Sequence, residues 1–106
     1  MDFPDLTRFA VFAFDTETTG LNAQAGDHVF GFSISTPDGR DYYWDIRREP
    51  KAVRWFNHAM NTYRGVIVCH NLAFDYIMSH HTDLHFDIKQ GFCTSVVACL
   101  VNEHEH

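Results

Sequence analysis

Several features that mark membrane, secreted and repeat proteins are missing from this sequence. No apolar run approaches the roughly 18 residues of a membrane-spanning helix, and the first few residues lack the basic start and apolar stretch of a signal peptide. Repeats, low-complexity stretches and linkers are also absent. We therefore expect a single domain over residues 1–106, in a protein of the cytoplasm.

Cysteine is scarce, and its spacing argues against two classes of small protein. The chain has three cysteines, Cys69, Cys93 and Cys99, and none of them belongs to a CxxC pair. An odd number without such a pair indicates neither a disulfide framework nor a zinc knuckle. We expect reduced, buried thiols.

Positive charge is also scarce. The formal net charge is −6, which argues mildly against nucleic-acid binding by charge alone. Part of this charge would belong to metal-binding carboxylates if the chain holds a divalent ion, because such an ion reverses the local field. Four of the eight Lys and Arg residues form the only basic cluster: Arg47, Arg48, Lys51 and Arg54. This cluster is either the solvated start of a helix or a contact for backbone phosphates.

The residues that are present indicate a packed α/β domain. Apolar residues make up 45% of the chain and aromatic residues 15%, which is enough for a core. An apolar run predicts a strand at about 8–14 that is buried on both faces and therefore central. Three antiparallel strands followed by alternating helices and strands predict a mixed sheet, with room for one more strand before the last helix. The other predicted elements are strands at about 28–36, 40–46 and 66–69, and helices at about 50–63, 72–80 and 95–101.

The most informative residues are Asp15 and Glu17, which follow the first apolar run. Side chains two positions apart on a strand point to the same face, so these carboxylates should lie side by side while Thr16 points the other way. Holding both carboxylates ionised is costly unless a cation lies between them. Hard cations such as Mg²⁺ take oxygen ligands of this kind. The pair therefore predicts a metal site suited to phosphate chemistry.

A third carboxylate lies where the fourth predicted strand passes into its helix. Asn71 stands at the N-cap position of that helix, and Asp75 lies one turn further along the same face. Sites in α/β sheets collect at strand ends near helix N-termini, which places Asp75 to approach Asp15 and Glu17. The alternative interpretation is that Asp75 only complements the helix dipole.

Two segments resemble the motifs of a known family. Phe14–Leu21, which reads Phe-Asp-Thr-Glu-Thr-Thr-Gly-Leu, resembles the first motif of DEDD-type 3′–5′ exonucleases, and His70–Asp75, which reads His-Asn-Leu-Ala-Phe-Asp, resembles the second. The whole chain is similar to the proofreading exonuclease domain of bacterial and phage family A DNA polymerases. The resemblance implies an α/β, ribonuclease H-like fold, in which a five-stranded mixed sheet of three antiparallel strands and then parallel strands is flanked by helices.

The resemblance also implies a two-metal mechanism with Mg²⁺ or Mn²⁺ as the cofactor. Asp15 would bridge two ions, Glu17 would bind one of them, and Asp75 would hold the second directly or through water. One ion would lower the pKa of an attacking water, and the other would stabilise the leaving 3′-oxygen. The implied substrate is the 3′ end of single-stranded DNA, and four residues would line its path or position it: Thr16, Leu21, Asn71 and Phe74.

The sequence departs from the family at the third motif. That motif, Tyr-x-x-x-Asp or His-x-x-x-x-Asp, carries the fourth acidic residue, and nothing after Asp75 matches it. Without this ligand we expect weak metal binding and a poorly placed water. We therefore expect a C-terminally truncated exonuclease domain with one bare sheet face, weak or inactive alone unless a polymerase domain or another chain supplies the motif. The alternative is a non-catalytic module that binds nucleic acid or protein.

Two smaller features concern a cysteine and a pair of histidines. The family more often has Asp-Thr before the last helix, where this chain has Cys93-Thr94. His81 and His85 have helical spacing, so they either form a soft-metal site or are surface histidines in a polar connection.

Overall fold

The structure, a computed structural model, describes residues 3–95, which form a five-stranded sheet with two α-helices. The strand order is β3-β2-β1-β4-β5. In chain order the elements are β1 (Val11–Thr18), β2 (Val29–Ser35), β3 (Asp41–Asp45), α1 (Lys51–Thr62), β4 (Val66–Cys69), α2 (Leu72–His81) and β5 (Gly91–Cys93).

The central strand is β1, as predicted, but the expectation that it is buried on both faces is wrong within the described residues: Phe12 and Phe14 are buried, whereas Ala13 on the other face is exposed. The strand pairs antiparallel with β2 and parallel with β4, while β3 and β5 form the two edges. Its bounds differ from the prediction. Residues 6–8 form a 3₁₀ turn capped by Asp5, so the strand begins later than residue 8. It continues to Thr18, which places Asp15 and Glu17 inside the strand.

The other predicted elements agree with the structure to within one residue at each end, apart from two. The fifth strand, β5, is short, and the sequence predicts only that one more strand could precede the last helix, without bounds. The helix predicted over 95–101 lies outside the described residues from residue 96 onward.

Both helices pack on the same face of the sheet. Phe12 and Phe14, alternate residues of β1, point to this face and are buried. The ring of Phe14 stacks on Phe56 of α1 with centroids 5.1 Å apart, and it meets Phe86, which follows α2, at 5.5 Å. Burying a large apolar side chain contributes about 1.5–3 kcal/mol, so these aromatic contacts fix the helices to the sheet.

The opposite face of the sheet is bare in the described part of the chain. Asp15 and Glu17 lie on it, together with apolar side chains of the neighbouring strands. Three of these keep much of their surface exposed: Tyr43 (50%), Val66 (43%) and Phe92 (59%).

The prediction for the cysteines is confirmed at one position and wrong at another. Cys69 is a free, buried thiol, and its burial, with the negative charges of Asp75 and Asp15, raises its pKa to about 12. Cys93 is disulfide-bonded, so the expectation of reduced thiols fails there. It lies half-buried on the edge strand β5 and not in the core.

Among residues 3–95, neither helix has the length and apolar character needed to cross a membrane.

Candidate active site

The carboxylates of Asp15 and Glu17 lie on the bare face of β1. Both side chains are exposed, and the sheet pairs these residues with Ser33 and Gly31 of β2. The alternation of buried and exposed residues along β1 places them on one face, as predicted. Neither carboxylate forms a hydrogen bond or an ion pair with a residue that the structure describes. Their mutual repulsion is therefore uncompensated, and a cation would relieve it.

Asp75 approaches β1 from the side that the helices cover. It lies in the first turn of α2 and is only 3% exposed. The Thr16 hydroxyl donates a hydrogen bond to Asp75 Oδ1 at 2.7 Å. Burial is the main cause that raises the pKa of Asp75 to about 6; the charge of Asp15 adds to the rise, while the Thr16 hydrogen bond and His70 oppose it. Asp75 and Asp15 therefore interact electrostatically.

The three carboxylates do not form one ligand cluster. Within residues 3–95, no three or more His, Cys, Asp and Glu side chains are grouped so that they could hold a metal ion. The reason is geometric, because Thr16 points away from Asp15 and Glu17 and is the residue that holds Asp75. The sequence predicts that Asp75 approaches Asp15 and Glu17. Asp75 interacts electrostatically with Asp15 but does not join the pair in a ligand cluster.

The donor set still fits a hard divalent cation in kind. Every candidate ligand is a carboxylate, and the two exposed ones have no cationic partner among the described residues. The third has a raised pKa, which a nearby cation would lower. Asp15 and Glu17 alone would leave most ligand positions of such an ion to water or to substrate oxygens.

The loop after β1 is closed by a residue that the sequence analysis did not single out. A β-bulge directly after Glu17 interrupts the pairing with β2. The Asp27 carboxylate then accepts hydrogen bonds from the Thr19 hydroxyl at 3.2 Å and from the Asn22 N–H at 2.9 Å. A Cβ at Gly20 would overlap this carboxylate, which explains why glycine stands there. No spacing rule reveals this contact from the sequence.

The four residues expected at the substrate differ in how much of their surface is available. Leu21, in the loop after β1, is 85% exposed. Asn71 caps α2 as predicted, because its side chain accepts the Phe74 N–H at 3.3 Å, and Phe74 is half-buried against the core. Thr16 is bonded to Asp75. Three of the four therefore have a structural contact beside any role at the substrate.

A groove of about 410 Å³ lies beside Asp15 on the bare face. Its walls include Ser33 and Ser35, which no sequence motif marks, together with His70 of the second motif and Thr94. Tyr43 also borders this face, since its phenol lies against Gly31, the partner of Glu17 in β2. These neighbours reach the site through strand register, which single-sequence patterns do not give.

The soft-metal alternative for the histidines is wrong within the described residues. The rings of His80 and His85 meet at 4.8 Å, but His81 and His85 belong to no group that could hold a metal there. They are the surface histidines of the other interpretation.

The fold and the site together define a class of protein. A central strand that carries two exposed acidic residues, with antiparallel neighbours on one side and parallel neighbours on the other, is the ribonuclease H-like arrangement of the nucleases. Residues 3–106 match the family model DNA_pol_A_exo1, described as 3′–5′ exonuclease, and the chain belongs to this family.

Relatives and solved structures agree with this family. The DNA polymerase DpoZ of Vibrio phage phiVC8 is 46% identical over 105 residues, which is 99% of this chain and 16% of that protein. DpoZ of Salmonella phage PMBT28 is 38% identical over 102 residues, 96% of this chain and 16% of that protein. Brucella melitensis NrnC with bound Mg²⁺ has a similar fold, with a TM-score of 0.67 at 25% identity, covering 96% of this chain and 51% of that one. The chain thus spans about a sixth of the length of the curated relatives.

Proposed function

We propose that this chain binds the 3′ end of single-stranded DNA and removes nucleotides from it with Mg²⁺ or Mn²⁺, as the proofreading part of a DNA polymerase. The observation that carries the proposal is the pair Asp15 and Glu17, exposed on the bare face with no cationic partner in the described part of the chain. The 3′–5′ exonuclease family and the similarity to phage DNA polymerases support this substrate. The Mg²⁺ bound to NrnC supports the cofactor.

In this proposal the acidic residues have different roles, because two of them are exposed and one is buried. Asp15 and Glu17 would hold the cation on the bare face, and Asp75, which Thr16 holds on the helix-covered side, would contribute its charge through water and not as a direct ligand. Bringing a cation near Asp15 favours the ionised form of Asp75, whose pKa is raised in the protein alone. When bound, such an ion lowers the pKa of an attacking water and stabilises the leaving 3′-oxygen.

The remaining candidates would position the DNA strand. Leu21 offers an exposed apolar surface for the terminal base. Asn71 and Phe74 sit at the start of α2, where they would line the path of the strand, and Thr16 would act through Asp75. The groove beside Asp15 is the surface over which we expect the terminal nucleotide to lie.

A second candidate function is a non-catalytic module that binds nucleic acid or protein. It is favoured by one observation, namely that no three acidic ligands are gathered within residues 3–95. Both candidates are compatible with one proposal. The chain alone is a weak or inactive exonuclease in the cytoplasm, and a polymerase domain or a partner chain supplies the fourth carboxylate.

The test is the shortening of a 5′-labelled single-stranded oligonucleotide in Mg²⁺ or Mn²⁺. Wild type is compared with Asp15→Asn and with Asp83→Asn, a matched control whose carboxylate is exposed at the far end of α2. A ladder of products that only Asp15→Asn abolishes supports the exonuclease. No product at high protein concentration contradicts independent catalysis, and retained oligonucleotide binding then supports the binding module.

A further inference from the structure

The basic cluster is not used by the site described above. Arg48, Lys51 and Arg54 are exposed, and none of them forms an ion pair with a residue that the structure describes. Arg47 differs, because its guanidinium donates to both carboxylate oxygens of Asp45, at 3.0 and 2.8 Å. The other three cations line a pocket of about 350 Å³ with Phe3, Glu49 and Pro50, so one carboxylate lies among them, and Arg48 also interacts electrostatically with Asp45.

These cations do not stabilise the helix on which two of them lie. Lys51 is the first residue of α1, whose first turn has no acidic residue and whose N-cap residue makes no side-chain hydrogen bond. Positive charge at this end of a helix opposes the helix dipole. Since the whole chain has a net charge of −6, unpaired cations gathered here point to an anionic ligand.

The pocket lies at the same end of the sheet as the proposed cation site but on the helix-covered side, because its Phe3 stacks on Trp55 of α1 and meets the buried Trp44. A nucleic-acid strand that reaches both sites therefore passes around this end of the sheet. Strands β1 and β3 run in the same direction, because each is antiparallel to β2. The register pairs Glu17 with Gly31 and Gly31 with Asp45. The end of β3 is thus level with Glu17 and two strand spacings away, about 10 Å. The connection from β3 into α1 then carries Arg48 and Lys51.

We propose that Arg48, Lys51 and Arg54 bind backbone phosphates of a single-stranded nucleic acid upstream of its 3′ end. The inference rests on the proposed function, which places the 3′ end at Asp15 and Glu17. A phosphodiester backbone is a flexible row of single negative charges, and it matches several exposed cations along one path. Lys51 and Arg54 are three positions apart on α1 and therefore lie on one face of it.

The test measures the binding of fluorescein-labelled oligothymidylates of about 12 and about 4 nucleotides by fluorescence anisotropy. The pocket variant combines Arg48→Gln, Lys51→Gln and Arg54→Gln. At about 50 mM salt we expect its Kd for the longer strand to rise about 10- to 100-fold, and the slope of log Kd against log salt to fall by about 2, at about 0.7 per lost phosphate contact. The shorter strand, which fills only the 3′ site, should change less than about twofold.

The control variant combines Arg8→Gln, Arg40→Gln and Lys89→Gln, and it lowers the net charge by the same amount. These residues precede β1, β3 and β5, which run in one direction, so they lie at the opposite end of the sheet. Circular dichroism checks the fold of both variants. Equal losses of affinity in the two variants, or no loss in the pocket variant, would overturn the proposal. A loss of affinity only for a labelled polyglutamate peptide would assign the pocket to an acidic protein and also overturn it.

The cleavage assay keeps this inference separate from the proposed function. If wild type leaves the labelled oligonucleotide intact and the pocket variant still weakens binding of the longer strand, the phosphate site stands and the exonuclease proposal falls. If cleavage depends on Asp15 and the pocket variant binds both strands like wild type, the phosphate site falls and the exonuclease proposal stands.

Discussion

At the scale of single residues, Thr16 decides where the third carboxylate lies. Its hydroxyl holds Asp75 under the helix-covered face of β1, while the residues on either side of it, Asp15 and Glu17, face the bare side. The strand thus separates two exposed charges from one buried acid. The buried acid has a raised pKa, and the exposed pair lies in contact with solvent.

The raised pKa of Asp75 predicts a pH dependence of stability. Its value rises from 3.8 to about 6 on folding, so the folded protein binds this proton more tightly than the unfolded chain. The free energy of unfolding should therefore fall as the pH rises from about 4 to about 6, by up to about 3 kcal/mol, and then level off. Urea unfolding of wild type and Asp75→Asn across this range checks it. The difference in the free energy of unfolding between wild type and Asp75→Asn should change with pH. If the two proteins gave parallel curves of unfolding free energy against pH, the prediction would be contradicted.

The contact between Gly20 and Asp27 predicts a non-additive pair of substitutions. Gly20→Ala places a Cβ against the Asp27 carboxylate and should cost about 1–3 kcal/mol of stability. Asp27→Ala removes both the obstacle and the hydrogen bonds to Thr19 and Asn22. Gly20→Ala should then cost much less in the Asp27→Ala background, as urea unfolding of all four proteins would measure. Additive losses would mean that the glycine serves another purpose.

At the scale of elements, Phe56 is the one aromatic side chain of α1 that is fully buried. Its ring meets Phe14 at 5.1 Å and Phe32 at 5.5 Å. Phe56→Ala should cost about 3–5 kcal/mol, because it opens a cavity between helix and sheet. Met60→Ala, at a half-buried position of the same stripe, should cost clearly less. Chemical unfolding compares the two, and equal losses would contradict the packing described here.

The same elements show which parts of the fold a sequence can predict. Strand β1 follows from its apolar run, and helix α1 follows from apolar residues that recur at helical spacing. Strand β5 has only three residues and no fully buried side chain, so its existence depends on pairing with β4. The site divides in the same way. The shared face of Asp15 and Glu17 follows from strand geometry, whereas the contact of Thr16 with Asp75 and the closure by Asp27 require the tertiary fold.

At the scale of the whole molecule, the negative charge links folding to cation binding. The chain has a net charge of −6, and the described residues offer Asp15 and Glu17 no cationic partner. On β1 these two carboxylates share one exposed face and offer it to a cation. A cation that binds only the folded protein stabilises it, by about 1.4 kcal/mol at a concentration ten times its Kd.

This linkage predicts that Mn²⁺ stabilises the protein at one site. At about ten times its Kd, the ion should raise Tm by about 5–10 °C in a domain of this size. The double variant Asp15→Asn, Glu17→Gln should lose that shift, because it removes both carboxylate ligands. Asp83→Asn, a distant exposed carboxylate, should respond to Mn²⁺ as wild type does. Thermal unfolding at constant ionic strength measures all three, and an equal shift in the double variant would show that the ion acts elsewhere on the acidic surface.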